Sequence, residues 1–157
     1  MDTEIDVIVF ESGERRFAME LRYVQEVCTI GYVTPVPLTP RMIQGATNIR
    51  GQMVPVVSLA PFFGAAQARS VLPGTPAILV VVDETVAAVP VRRVIDVVSV
   101  PKSRFEEGGQ GSGPLIPGSF RGVAGSIPLL DIRDALHQIR KATHEANQNI
   151  HQRREAR

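Results

Sequence analysis

The chain has 157 residues, with 17 basic and 16 acidic side chains and a formal net charge of +1 at pH 7. That balance supplies no global field pointing to nucleic acid or a strongly acidic partner, and the length suits one domain, or two small interlocked lobes, whose core needs no disulfide or metal. Cys28 is the only cysteine, which excludes an intramolecular disulfide and fits a reducing cytoplasm.

The chain opens on Met1-Asp2-Thr3-Glu4, without the basic flank and apolar run of a signal peptide. Residues 5–10 are rich in β-branched side chains and residues 15–19 return to that pattern. They predict a hairpin around Glu11-Ser12-Gly13-Glu14. Residues 20–23 suit one helical turn and residues 24–30 a strand. Pro35, Pro37 and Pro40 force an extended connection, and residues 41–43 read as a second helical turn. Residues 46–50 and 53–57 read as strands around a tight turn at Gly51-Gln52, with glycine supplying the positive φ. Residues 58–63 suit a short helix capped by Ser58 and closed by Gly64.

Residues 65–75 have the composition of a linker. Three more strands are predicted at 78–82, 86–89 and 94–100. The apolar run at 77–82 is far too short to span a bilayer. The run Gly108-Gly109-Gln110-Gly111-Ser112-Gly113 reads as a loop, and residues 123–130 as a tight hairpin around Gly125-Ser126. A helix begins near Asp131. Its apolar stripe, Ile132, Leu136, Ile139, Thr143, Ala146 and Ile150, recurs every three or four residues. Few of these side chains are large, so the helix is expected to dock at its start and fray into a solvated tail.

An internal repeat orders these elements. Residues 17–27, FAMELRYVQEV, align with residues 87–97, AAVPVRRVIDV; residues 54–59, VPVVSL, match residues 127–132, IPLLDI, at an offset three residues longer. Two copies of a small β unit follow, and strands this short between frequent turns favour small barrels over a parallel sheet.

Catalytic constellations are missing from the sequence. His137, His144 and His151 are seven residues apart, so on a helix they lie about 10 Å from one another, too far to share a metal bound at about 2 Å. Cys28 sits in an apolar strand with no histidine in the body of the chain to act as its base. The glycine-rich loop lacks the Gly-Lys-Ser/Thr ending of a phosphate loop. Glu106-Glu107 and Asp83-Glu84 are adjacent pairs whose side chains diverge in extended chain. Basic residues are dispersed and aromatics few, which argues against nucleic acid. The sequence therefore reads as a domain that presents surfaces, with no enzyme activity, cofactor or metal expected.

Two segments resemble the CheW-like chemotaxis adaptor family. The first is residues 17–27, with its Val24-Gln25-Glu26-Val27. The second holds Pro37, Pro40 and Ile43, then Gly45-Ala46-Thr47-Asn48-Ile49-Arg50-Gly51, then Val54-Pro55-Val56-Val57-Ser58-Leu59. It is similar to the family's Gly-x-x-Asn-Leu-Arg-Gly followed by Val-Pro-Val-Val-Asp-Leu, with Ser58 in place of the acid. With the repeat, the resemblance covers residues 5–136.

That resemblance implies a mostly β fold: two interlocked five-stranded Src-homology-3-like barrels sharing a core, with short helices and a C-terminal helix. Residues 1–136 would form the domain, with lobes at 17–75 and 76–130 and the N-terminal strand shared, and residues 137–157 a helical or disordered basic tail. It also implies a cytoplasmic adaptor between chemoreceptor signalling tips and the regulatory domain of a CheA-type histidine kinase. Gly45, Asn48, Ile49, Arg50, Ala77 and Ile78 would belong to the receptor-facing region, and Val24 and Glu26 to a kinase- or partner-facing surface. Residue by residue, Arg50 also suits an intradomain ion pair, and Ala77 and Ile78 suit strand core. A diverged module that keeps only one partner is the alternative.

Overall fold

The computed structural model describes residues 3–37, 39–60, 71–107, 115–122 and 125–156. Within them the chain runs through β1 (Glu4–Ser12), β2 (Arg15–Glu20), a 3-10 turn at Leu21–Tyr23, β3 (Val24–Thr29), β4 (Val33–Thr34), β5 (Ile43–Ile49) and β6 (Gln52–Val57). It continues with β7 (Pro76–Val82), β8 (Thr85–Pro90), β9 (Arg93–Pro101), a 3-10 turn at Lys102–Arg104, β10 (Glu106–Glu107), β11 (Gly118–Gly122), β12 (Gly125–Leu129) and the helix α1 (Ile132–Glu155). The fold is mostly β with a C-terminal helix, as the sequence predicts.

Two six-stranded sheets form, in the orders β10-β11-β12-β2-β1-β9 and β4-β5-β6-β8-β7-β3. Each has five longer strands and one of two residues, β10 or β4. The orders are the same if β1–β6 and β7–β12 are treated as two copies of one unit. The unit boundary falls near residue 75, as the repeat suggests, but the sheets do not divide there. Each sheet takes its first hairpin from the opposite copy: β1–β2 sits among β9–β12, and β7–β8 among β3–β6. The lobes expected at 17–75 and 76–130 are thus corrected to residues 24–90 for one sheet, and 4–20 with 93–129 for the other. The exchange is fixed by two parallel contacts, Val56 with Ala88 and Leu129 with Ala18. Ala18 and Ala88 are aligned positions of the repeat, and so are Val56 and Leu129.

The exchange explains the sequence pattern. On β1, Val7 and Val9 point into the interior of their own sheet with Ala18, Val100, Phe120 and Ile127, while Ile8 and Phe10 point into a core shared by both sheets. On β7, Ala77 and Leu79 face inward and Ile78 and Val80 enter the shared core. With both faces covered, these hairpin strands read as unbroken apolar runs. The edge strand β3 has one covered face and alternates between half-buried and exposed residues.

The hairpin turns are tighter than predicted, or displaced. The first has two residues, Gly13-Glu14, because Ser12 pairs with Arg15 and Glu11 with Arg16. The turn expected at Gly51-Gln52 is Arg50-Gly51, since Ile49 pairs with Gln52. Gly125 and Ser126 belong to β12, and Gly122 pairs with Gly125; the turn between them, residues 123–124, lies outside the described residues. Residues 41–43 form a turn closed by the Ile43 N–H to the Pro40 carbonyl at 3.0 Å, rather than helix. The Ser58 Oγ accepts the Ala60 N–H at 3.3 Å. The rest of that predicted helix and the glycine-rich loop at 108–113 are outside the described residues.

Asp131 caps α1, its Oδ1 accepting the Asp134 N–H at 3.0 Å. Ile132, Ala135, Leu136 and Ile139 are buried in the shared core, so the docked part of the helix passes the expected limit at 136. The helix continues to Glu155. Among the described residues no helix is long and apolar enough to cross a membrane.

One charge cluster ties three strands together. The Glu11 carboxylate accepts the Arg93 Nε and Nη2 at 2.9 and 2.8 Å, and Arg16 Nε lies 3.5 Å away. The hydrogen-bonded Arg93 guanidinium holds the Glu11 carboxyl below its ordinary value of 4.5. A carboxyl whose pKa falls on folding contributes stability above its unfolded pKa, and that contribution is lost as pH drops through the folded value. In urea unfolding, wild type is therefore expected to exceed Glu11→Gln at neutral pH, with the gap closing below pH 4.5. A gap that widens on acidification refutes this.

Candidate partner-binding site

The two-residue turn between β5 and β6 builds the site. Arg50 and Gly51 have φ of 51° and 83°, the left-handed values that two-residue hairpin turns of the primed type require. Asn48 Oδ1 accepts the Gly51 N–H at 2.8 Å and fixes the loop. A non-glycine residue is thereby held at the tip, with its side chain projecting outward.

That side chain reaches across the barrel. Arg50 Nη2 donates to Glu26 Oε2 on β3. Strand β3 is one edge of its sheet, and β5–β6 lies toward the other. The sheet therefore curls until these regions meet, and the Arg50–Glu26 pair clasps them. The interior cluster of Cys28, Ile30, Val33, Ile49, Val54 and Ala77 fills the curl. The Glu26 side chain is largely buried, and its Oε1 has no hydrogen-bond partner among the described residues. The Arg50 side chain is 73% exposed, so most of its guanidinium donors face solvent in a fixed fork. Burial raises the pKa of the neighbouring Cys28 thiol, and the Glu26 charge raises it further. That suits an inert, packed cysteine.

The predicted residues separate into two groups. Asn48, Ile49, Arg50 and Glu26 converge at the clasp. Val24 is half-buried against the shared core. Gly45 is buried, with φ of 151°, beneath β4: a Cβ there would lie 2.4 Å from the Thr34 carbonyl oxygen. The close approach that this glycine permits is made by the chain's own strand. Ala77 and Ile78 are fully buried on β7, a strand with neighbours on both sides and both faces covered. They offer a partner no surface, and their place in the receptor-facing set is withdrawn.

Sequence reasoning missed three exposed apolar side chains on this sheet. Val27 follows Glu26, Tyr32 leads into β4, and Met53 pairs with Asn48 across the hairpin; they are 49, 85 and 58% exposed. The Thr47 hydroxyl donates to the Tyr32 carbonyl at 3.0 Å, tying the Tyr32 backbone to β5. The signal was strand alternation: Val54 and Val56 point inward, so Met53 points outward.

A sequence profile of the CheW-like domain matches residues 6–144. The chain belongs to the CheW-like family. This CheW-like domain is 34% identical over 61 residues to the chemotaxis protein CheW of Thermotoga maritima, covering 39% of this chain and 40% of the relative. It is 36% identical over 66 residues to protein FrzA of Myxococcus xanthus, covering 42% and 41%. With the Klebsiella aerogenes chemotaxis protein CheW it shares 32% over 95 residues, or 60% and 57%. These matches span about two fifths to three fifths of the curated relatives' length. The scaffolding protein TtCheW of Thermoanaerobacter tengcongensis has the same fold, with a TM-score of 0.70, 23% identity, and coverage of 82% of this chain and 89% of that one.

Proposed function

We propose that this CheW-like domain is a non-enzymatic adaptor that couples chemoreceptor signalling tips to a CheA-type histidine kinase in a cytoplasmic chemosensory array. The observation that carries the reading is the clasp: an exposed, oriented Arg50 guanidinium at a barrel edge, on a sheet that also exposes Tyr32 and Met53 beside the same hairpin. A fixed fork beside apolar side chains is the composition of a protein-binding hot spot. The names of the relatives, chemotaxis and scaffolding proteins, support the same role. In it, Asn48 and Arg50 face the receptor, Ile49 and Gly45 support their hairpin from within, and Val24 and Glu26 belong to the kinase-facing side. Because Glu26 holds Arg50, the two surfaces share one ion pair, so a change at either is felt by the other. Bivalent binding raises the effective concentration of one partner for the other. The role needs no cofactor or metal.

Co-sedimentation with a receptor signalling fragment and the kinase tests this. Arg50→Glu is expected to lower receptor affinity by about tenfold or more, because a charge central to an interface is reversed. Arg50→Lys keeps the charge, loses the fork and falls between. Far-UV circular dichroism separates loss of binding from loss of fold. Equal receptor affinity for wild type and a folded Arg50→Glu protein overturns the assignment. A second reading, a diverged module with a single partner, is favoured by the repeat itself. The residue aligned with Arg50 in the second copy is Val123, so that position supplies no arginine for an equivalent clasp. Binding of kinase without receptor, or the reverse, selects that reading.

A further inference from the structure

Fifteen of the 17 basic residues are arginine, and four of them sit on adjoining strands at one end of the other sheet. Arg15 and Arg16 begin β2, Arg92 and Arg93 lead into β9, and β1 runs between with Glu11 and Ser12. Glu11 has a side chain only 12% exposed; those of Arg16 and Arg93 are 37 and 61% exposed. The Arg92 N–H donates to the Glu11 carbonyl at 2.8 Å, and no ion pair among the described residues uses the Arg92 side chain. The Glu11 carboxylate thus faces two guanidiniums, Arg16 and Arg93, and Arg92 beside them adds a third positive charge that lowers the Glu11 pKa through space. This leaves a local positive excess on a chain of net charge +1.

We propose that this arginine platform docks an acidic helix of a partner protein, one with carboxylates a turn apart on one face. Glu11 fixes the spacing. Arg93 Nη2 lies 2.8 Å and Arg16 Nε 3.5 Å from the same oxygen, Oε1, so these nitrogens are at most about 6 Å apart, the separation of side chains at i and i+4 on a helix. The cross-strand ladder of β2, β1 and β9 holds both guanidiniums, so less ordering entropy is lost on binding than with free side chains. The composition of the surface selects a protein helix over other anions. Val97, further along β9, is the only exposed large apolar side chain of this sheet among the described residues, too little to enter a bilayer. No exposed aromatic ring lies among the platform residues to stack on bases.

The test uses the full chain and two synthetic peptides of one composition, one with glutamates four residues apart along a helical face, the other with them scattered around the helix. Phosphatidylserine–phosphatidylcholine vesicles serve as the lipid alternative. Amide chemical shifts are expected to change at Glu11, Arg16, Arg92 and Arg93 with the patterned peptide, which binds more tightly than the scattered one. Arg92→Glu, which breaks no internal ion pair among the described residues, is expected to weaken binding about tenfold, as reversal of a steering charge does. Arg93→Lys, with the charge kept and the fork lost, gives a smaller loss. Equal affinity of the two peptides, unchanged affinity in Arg92→Glu, shifts centred on Arg50 instead, or binding of vesicles without peptide overturns the proposal.

Discussion

Replacing Phe10 with alanine is expected to lower the stability of the fold by about 3–5 kcal/mol, the range for a buried aromatic truncated to a methyl group. The ring is fully buried in the core that both sheets share. It packs on Phe17 with centroids 6.1 Å apart and planes inclined by 31°. Both rings belong to the hairpin lent to the opposite half, so the cavity opens where the halves join. Neighbouring strands are hydrogen-bonded on either side of β1 and cannot collapse into the space. Urea unfolding followed by far-UV circular dichroism measures the effect. The midpoint should fall sharply, and unfolding should stay a single transition because one core serves both sheets. A control, Val97→Ala, trims a half-exposed edge side chain and should shift stability by no more than about 0.5 kcal/mol. A Phe10→Ala protein with an unchanged midpoint, or two separate transitions, contradicts the shared core.

The second large effect is expected at Gly45. An alanine Cβ there would lie 2.4 Å from the Thr34 carbonyl oxygen and 2.8 Å from Val33 Cγ1. The first is backbone and cannot rotate away. The φ of 151° adds strain for any side chain. Together these should cost about 1–3 kcal/mol, and β4 should detach from β5. The Thr47 hydrogen bond to Tyr32 would break with it, leaving a buried hydroxyl unsatisfied. Gly51→Ala is the comparison: a Cβ there meets nothing within 4 Å, although φ is 83°, so only backbone strain is paid. Amide exchange at Val33 and Thr47 reports the strand. Protection retained in Gly45→Ala, or a larger loss in Gly51→Ala, contradicts this account.

The repeat, the strand-rich architecture and the docked helix start were legible because they rest on local signals: alternation, turn residues and an i, i+3, i+4 stripe. The hairpin exchange was not. Aligned residues such as Ala18 and Ala88 reveal that two units exist, but not which unit's strand each one joins. Ala77 and Ile78 were assigned to a surface by resemblance, although the unbroken apolar run from 77 to 82 already marked a strand covered on both faces. The Glu26–Arg50 clasp joins residues 24 apart, and no spacing rule reaches that far. Glycine alone points to a turn at Gly51-Gln52; the Asn48 side chain, by accepting the Gly51 N–H, makes glycine the second turn residue and shifts the turn to Arg50-Gly51.

The exchanged hairpins also order events during synthesis. The β1–β2 hairpin leaves the ribosome before the rest of its sheet, and the partner of Glu11, Arg93, follows 82 residues later. At typical elongation speeds that delay is roughly 4–16 s. Throughout it the apolar runs of β1 and β2 have no sheet to join. The first sheet that can close is the middle one, made of residues 24–90, and it closes around a hairpin from the second copy. Of the two sheets, the one that spans residues 24–90 can therefore close before the other, whose β1 must wait for β9 before it is covered on that side.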